Sequence, residues 1–184
     1  MFNLSTQEVV LSIEKTPLVK LNGVVYQEYH NFFGNSMLEE LKNLEDLDLV
    51  QLERQLDRPR QRVEYTEDIM KKVKLFFMHT SIKGALEKKF NTNLKFSSAD
   101  IWQDKPGYHL EPHTDDPRIK LALQIYLGDN NVGTSLFDKD NNVLKTFEYK
   151  LNSGYALLNT SDSLHGTTTK VESGLRNSMY VRYE

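Results

Sequence analysis

His113 and Asp115 stand two residues apart in the run Tyr108-His109-Leu110-Glu111-Pro112-His113-Thr114-Asp115-Asp116. On an extended strand, side chains two apart leave the same face, so an imidazole and a carboxylate there supply two corners of a metal site. Two neutral histidine nitrogens and one carboxylate suit Fe(II) and leave open positions on one side of the ion. The third corner has to come from a distant histidine, and His165, 50 residues after Asp115, is the candidate. Glu111 is also two residues from His113 and forms an alternative ligand pair with it, separated by Pro112. Asp116 points to the opposite face of a regular strand and reads as a turn residue before Pro117.

Three pieces follow one another with strand-like sequence between them: His113-Thr114-Asp115, His165-Gly166-Thr167 and Arg176-Asn177-Ser178. They resemble the His-x-Asp…His…Arg-x-Ser signature of the Fe(II)- and 2-oxoglutarate-dependent oxygenases, in particular the prolyl hydroxylase-like branch. The match runs roughly from Phe96 to the last residue, and Arg176 follows His165 by 11 residues. The resemblance implies a double-stranded β-helix (jelly-roll, cupin-like) core, mostly β, with flanking helices. It implies His113, Asp115 and His165 as both metal ligands and catalytic centre for Fe(II), 2-oxoglutarate and O2 as cosubstrates, and ascorbate as an optional reductant. The reaction it implies is hydroxylation of a C–H bond of a peptidyl (prolyl-like) or small-molecule substrate, with succinate and CO2 as co-products. Related halogenases carry a small residue in place of the carboxylate, so Asp115 favours hydroxylation.

A planar guanidinium matches a carboxylate in two places, which makes Arg176 the natural holder of the distal carboxylate of 2-oxoglutarate. Ser178 shares its face two residues on. Tyr126, in Ile125-Tyr126-Leu127-Gly128, looks like the strand tyrosine that assists this arginine in prolyl hydroxylase-like members, and also reads as a core tyrosine. Gln103, ten residues before His113, stands where some members place a cosubstrate contact. Arg182 follows Arg176 by six, as in the nucleic-acid alkyl-repair branch, but Ser178 occupies the position where that branch has an asparagine. Surface exposure is the plainer expectation for Arg182, and a nucleic-acid partner is not expected.

His30 and His79 read as solvated or capping residues, and His109 as a substrate contact or a support for the site. Arg58, Arg60 and Arg62 around Pro59 read as a solvated loop, with a flap presenting cations to an acidic substrate as the sharper reading. Trp102 reads as core.

The elements that must position these groups change character along the chain. Val9 to Tyr26 alternates loosely around Pro17 and Asn22-Gly23, which predicts two short strands. Asn35-Ser36 offers an N-cap for a helix through Met37, Leu38, Leu41 and Leu44. Leu47 to Glu64 is polar and contains Pro59, and reads as a loop. Thr66 can cap a second helix with Ile69, Val73, Phe76, Phe77, Ile82 and Leu86 on its apolar face, running to Lys89 or breaking near Gly84. From Phe96 onward, short β-branched and aromatic runs are predicted as strands: 101–102, 120–127, 134–137, 143–149, 155–159 and 175–183. The whole chain, 1–184, is expected to be one oxygenase domain, with 1–95 supplying N-terminal strands and supporting helices and 96–184 the metal-binding core.

Composition bounds these readings. A hydrophobic fraction of 39% supports a packed core, and a net charge of −3 gives no global attraction to nucleic acid. With no cysteine, disulfides, thiolate metal sites and a cysteine nucleophile are excluded. The first residues lack the pattern of a secretion signal and no apolar run could span a bilayer, so a cytoplasmic location away from membranes is expected. Three other readings of the whole stay open: a non-catalytic β-sandwich binding module, a nucleic-acid oxidative demethylase, and a cupin-like isomerase or hydrolase that keeps the metal.

Overall fold

Runs of β-branched and aromatic residues, cut by asparagine and glycine turns, build two antiparallel sheets whose facing surfaces carry the candidate site. The computed structural model describes residues 6–35, 37–38, 50–55, 59–64 and 67–184. In chain order the described elements are α1 (Thr6–Lys15), β1 (Val19–Leu21), β2 (Val24–Tyr29), β3 (Val50–Gln55), β4 (Arg60–Glu64), α2 (Glu67–Met78) and α3 (Thr80–Phe90). Then come β5 (Phe96–Asp104), β6 (Leu121–Tyr126), β7 (Ser135–Phe137), β8 (Val143–Thr146), β9 (Gly154–Leu158), β10 (His165–Gly166) and β11 (Arg176–Tyr183). The main sheet has the order β1-β2-β9-β6-β11-β5-β4-β3, and the smaller one β10-β7-β8. The fold is the mostly β, double-stranded β-helix type with helices along one side.

Alternation along the strands sorts the two faces of the main sheet. Leu123 and Ile125 of β6, Met179 and Val181 of β11 and Ala99 and Ile101 of β5 turn toward the helices. There they pack with Val9 and Ile13 of α1, Val73, Phe76 and Phe77 of α2, and Ile82 and Leu86 of α3. The intervening residues turn inward: Tyr126, Tyr155 and Leu157 pack against Leu136 of β7 and against Phe147. Phe77 is fully buried, so its truncation to alanine would cost about 3–5 kcal/mol. The Tyr183 hydroxyl donates to the Phe77 carbonyl at 2.8 Å, satisfying an acceptor in the last turn of α2.

The N-terminal half departs from the sequence expectation in three places. Thr6–Lys15 is a helix, not a strand. Val9, Leu11 and Ile13 fit a two-residue alternation, but Val9 and Ile13 are buried four apart while Leu11 is 48% exposed, which is a helical stripe. Only the second half of that region forms strands, β1 and β2, joined through Asn22 and Gly23 at φ 47° and 85°, the positive values a tight hairpin turn requires. The expected loop 47–64 contains the β3–β4 hairpin, an edge extension of the main sheet whose polar composition suits an edge strand. Pro59 sits in the turn just before β4.

The helical segment after it breaks at His79 rather than at Gly84. His79 takes an extended backbone, and its Nδ1 accepts from the Ser81 amide at 3.3 Å as N-cap of α3. Gly84 stays inside α3. Residues 35, 37 and 38 are helical; Ser36, Leu41, Leu44, Arg58 and Thr66 lie outside the described residues.

Candidate metal centre and anion pocket

His113 does not sit on a regular strand. It is held by a single antiparallel bridge to His165, with each backbone N–H donating to the other's carbonyl, at 3.0 and 2.9 Å. That bridge adds the His113 segment to the edge of the smaller sheet beside β10. It sets the two imidazoles side by side, with ring centroids 4.5 Å apart. Gly166 makes the approach possible: a Cβ there would collide with the Leu110 carbonyl oxygen.

Both rings are oriented in the same way. Nδ1 of His113 lies 3.0 Å from the carbonyl oxygen of Glu111, and Nδ1 of His165 lies 3.0 Å from that of Ser163. A carbonyl can only accept, so each Nδ1 carries a hydrogen, and in the neutral ring Nε2 is then the nitrogen with the free lone pair. The two Nε2 atoms face Asp115, whose Oδ1 lies 4.0 Å from His113 and 3.8 Å from His165. The three candidate ligand atoms fall within 4.8 Å of one another. Burial lowers the His165 pKa against the opposing pull of Asp115, which keeps the ring neutral and able to ligate. One carboxylate and two neutral imidazoles, clustered together, fit a divalent ion such as Fe(II).

Tyr180 completes this wall, and sequence reasoning did not single it out. Its hydroxyl donates to Asp115 Oδ2 at 2.7 Å. Burial, then the neighbouring Asp115, push its pKa well up, so it stays a donor. Its position on the Arg176-Ser178-Tyr180 alternation was the available signal.

The alternative ligand Glu111 is not part of the cluster. Its side chain is 82% exposed and pairs with His109 Nδ1 at 3.1 Å; only its carbonyl serves the site. The other side of the His109 ring binds the Thr167 carbonyl at 2.9 Å. Asp116 is the expected turn residue, accepting from the Arg118 backbone and guanidinium, which pull its pKa down to about 2.

His113, Asp115 and His165 line one wall of a cavity of about 140 Å³, and Arg176 lines the same cavity. Arg176 is 2% exposed and is held on three sides. Nε donates to the Val132 carbonyl at 2.7 Å, Nη1 to Asp104 Oδ2 at 2.6 Å and Nη2 to Thr134 Oγ1 at 3.0 Å. Burial alone would disfavour its charge; Asp104 more than offsets this and raises its pKa further. Thr134 belongs to a chain of inner-face groups: its Oγ1 donates to Gln124 Oε1 at 2.9 Å, the Tyr155 hydroxyl donates to the same oxygen at 2.8 Å, and Gln124 Nε2 donates to Ser178 Oγ at 3.0 Å. Gln124, Thr134, Tyr155 and Asp104 all escaped sequence reading. A glutamine inside the apolar run of β6 was the visible clue.

The remaining candidates fall in different places. Tyr126 is fully buried, with its hydroxyl accepting from the Thr134 amide at 2.9 Å and its ring 5.5 Å from Arg176 Cζ, so it supports the arginine from behind. Ser178 is buried and reaches the pocket wall through Gln124. Gln103 alternates to the other face of β5, bonded to Gln61 at 2.5 Å and Asn177 at 3.3 Å, and does not line the cavity. Trp102 lines the cavity, as does Arg60. Arg182 is inward and half-buried rather than a surface residue, with Nε donating to Ser98 Oγ and Nη2 to Asp100 Oδ2, both at 2.8 Å.

No family model and no curated protein matches the sequence. Solved structures do match. A 2OG-Fe(II) oxygenase family oxidoreductase from Burkholderia pseudomallei is similar over 99% of this chain and 92% of its own, at 11% identity and TM-score 0.60. The viral collagen prolyl hydroxylase of Paramecium Bursaria Chlorella virus-1, solved with 2OG, is similar over 86% and 94%, at 16% identity and TM-score 0.56. HygX from Streptomyces hygroscopicus, solved with nickel, 2-oxoglutarate and hygromycin B, is similar over 86% and 82%, at 14% identity and TM-score 0.59. At these identities the likeness establishes the fold: this chain has the double-stranded β-helix of the 2OG-Fe(II) oxygenases. Among the described residues, no helix is long and apolar enough to cross a membrane.

Proposed function

We propose that the chain is an Fe(II)- and 2-oxoglutarate-dependent dioxygenase that hydroxylates a C–H bond of a peptidyl, prolyl-like, or small-molecule substrate. The observation that carries this reading is one small cavity bounded both by His113, Asp115 and His165 and by the buried guanidinium of Arg176. A metal-binding wall and an anion-binding wall at this spacing suit a keto-diacid, which needs to be gripped at both ends.

In this reading His113, Asp115 and His165 hold the ferrous ion, with Tyr180 steadying the carboxylate. When bound, the iron with 2-oxoglutarate and dioxygen supplies the oxidising chemistry, converting the keto acid to succinate and CO2 as the substrate is hydroxylated. Arg176 receives the distal carboxylate, where a planar fork fixes orientation as well as charge. Tyr126 and Ser178 keep the arginine and its network in place. Trp102, Leu110 and Tyr155 line the same cavity. The prolyl hydroxylase-like and small-molecule substrate classes are supported by neighbours of both kinds, one a collagen prolyl hydroxylase and one solved with hygromycin B.

Incubation with Fe(II), ascorbate and 2-oxoglutarate should release succinate above a His113→Ala control. Equal succinate from both proteins would refute the proposal.

A further inference from the structure

The register of the main sheet lines up three charged side chains in a row. Arg60 of β4 stands opposite Asp104 of β5, and Asp104 stands opposite Arg176 of β11. The central carboxylate binds both neighbours, with Arg60 Nε 2.5 Å from Oδ1 and Arg176 Nη1 2.6 Å from Oδ2. The Asp104 side chain is fully buried, and those of Arg60 and Arg176 are 15% and 2% exposed. Both guanidiniums line the cavity that holds the metal cluster.

Charge counting shows what Arg60 adds. Arg176 and Asp104 alone would be a neutral buried pair, and a carboxylate arriving at Arg176 would meet no net positive charge. It would instead bring a second anion beside a buried one, which low-dielectric surroundings penalise heavily. Two guanidiniums against one carboxylate leave this row with one positive charge at its end of the cavity. Arg60 is also held in place, its Cζ 4.8 Å from the Trp102 ring centroid and 4.6 Å from that of Tyr108. Rings on those contacts favour a cation and restrict its motion. A mere clamp between β4 and β5 is not needed, because the two strands already pair from Arg60 to Val63.

The geometry points to Arg60 as a positioning residue that acts through Asp104: it neutralises that carboxylate and leaves the charge of Arg176 available to the distal carboxylate of a keto-diacid. This rests on the cavity being a 2-oxoglutarate site, and the test separates the two claims.

The test is calorimetric titration of the Ni(II)-loaded protein with 2-oxoglutarate and with 2-oxopentanoate, a keto acid of the same length without the distal carboxylate. If the unaltered protein fails to bind 2-oxoglutarate, the reading of the site itself falls. If it binds, Arg60→Gln should weaken 2-oxoglutarate by at least about tenfold, the scale of one charged hydrogen bond. Binding of Ni(II) and of 2-oxopentanoate should be little changed. Adding Asp104→Asn to Arg60→Gln restores the net charge and should recover most of the lost affinity. Arg60→Lys, which keeps the charge, should stay within about threefold of the unaltered protein and carries the test if the glutamine variant does not fold. Undiminished 2-oxoglutarate binding by Arg60→Gln overturns the proposal. So does a folded double variant no better than the single one, or a lysine variant as weak as the glutamine variant.

Discussion

The Tyr180 hydroxyl donates to one oxygen of Asp115 at 2.7 Å while the other oxygen faces the two imidazoles. The carboxylate therefore has one oxygen committed to the protein and one turned to the imidazoles, where an ion would be held. Tyr180→Phe keeps the ring and removes only that hydrogen bond. It should lower Mn(II) or Fe(II) affinity about 10-fold or more, read by anaerobic calorimetric titration, with the fold intact by circular dichroism.

Asp104 should be far less replaceable than a surface carboxylate. Asp104→Ala leaves Arg60 and the buried Arg176 facing each other without a counter-ion. A loss of about 3–5 kcal/mol is expected, measured by urea unfolding. A loss under about 1 kcal/mol, the range of exposed pairs, would contradict the buried row described above.

Two glycines predict opposite outcomes. Gly166→Ala drives a Cβ into the Leu110 carbonyl, beside the His113–His165 bridge. It should cost about 1–3 kcal/mol and weaken metal binding with it. At Gly84, inside α3, an added Cβ meets nothing within 4 Å, so Gly84→Ala should stabilise by about 0.5–1 kcal/mol. Thermal unfolding of the two variants checks both signs.

Acid should destabilise the metal-free protein through His165. Burial holds its pKa in the folded state below the usual 6.5. Above that value both states are neutral and the full stability is present. As the pH falls through it, the unfolded chain takes up a proton first, and stability declines until the folded-state pKa is reached. Unfolding midpoints of the metal-free protein between pH 7.5 and 5.5 should fall, and should fall less for His165→Gln.

The second half of the chain was the more legible one. Its strands are short, β-branched and punctuated, and His113, Asp115, His165 and Arg176 stand out because each is a chemically distinctive residue at a regular offset. The first half misled for a physical reason. Val9, Leu11 and Ile13 fit a two-residue period, Val9 and Ile13 alone fit a helical one, and only burial decides between them. The β3–β4 hairpin is polar because it lies at a sheet edge, and polarity alone suggested a loop. Arg60 looked like one charge among three near a proline; its partner, Asp104, lies 44 residues away, and only strand register brings them together. Gln103 failed for the simplest reason, a parity of one residue that turns it to the wrong face.

Both imidazoles are aimed by peptide oxygens two residues upstream, Glu111 for His113 and Ser163 for His165. Many metal sites delegate that task to an aspartate or glutamate, which titrates and can be mutated away. Here the aiming groups belong to the main chain, so no single side-chain exchange at 111 or 163 deletes them. The nitrogen donors should accordingly keep their tautomers through exchanges at those positions, whereas the hydrogen bond on Asp115 is lost with the Tyr180 hydroxyl.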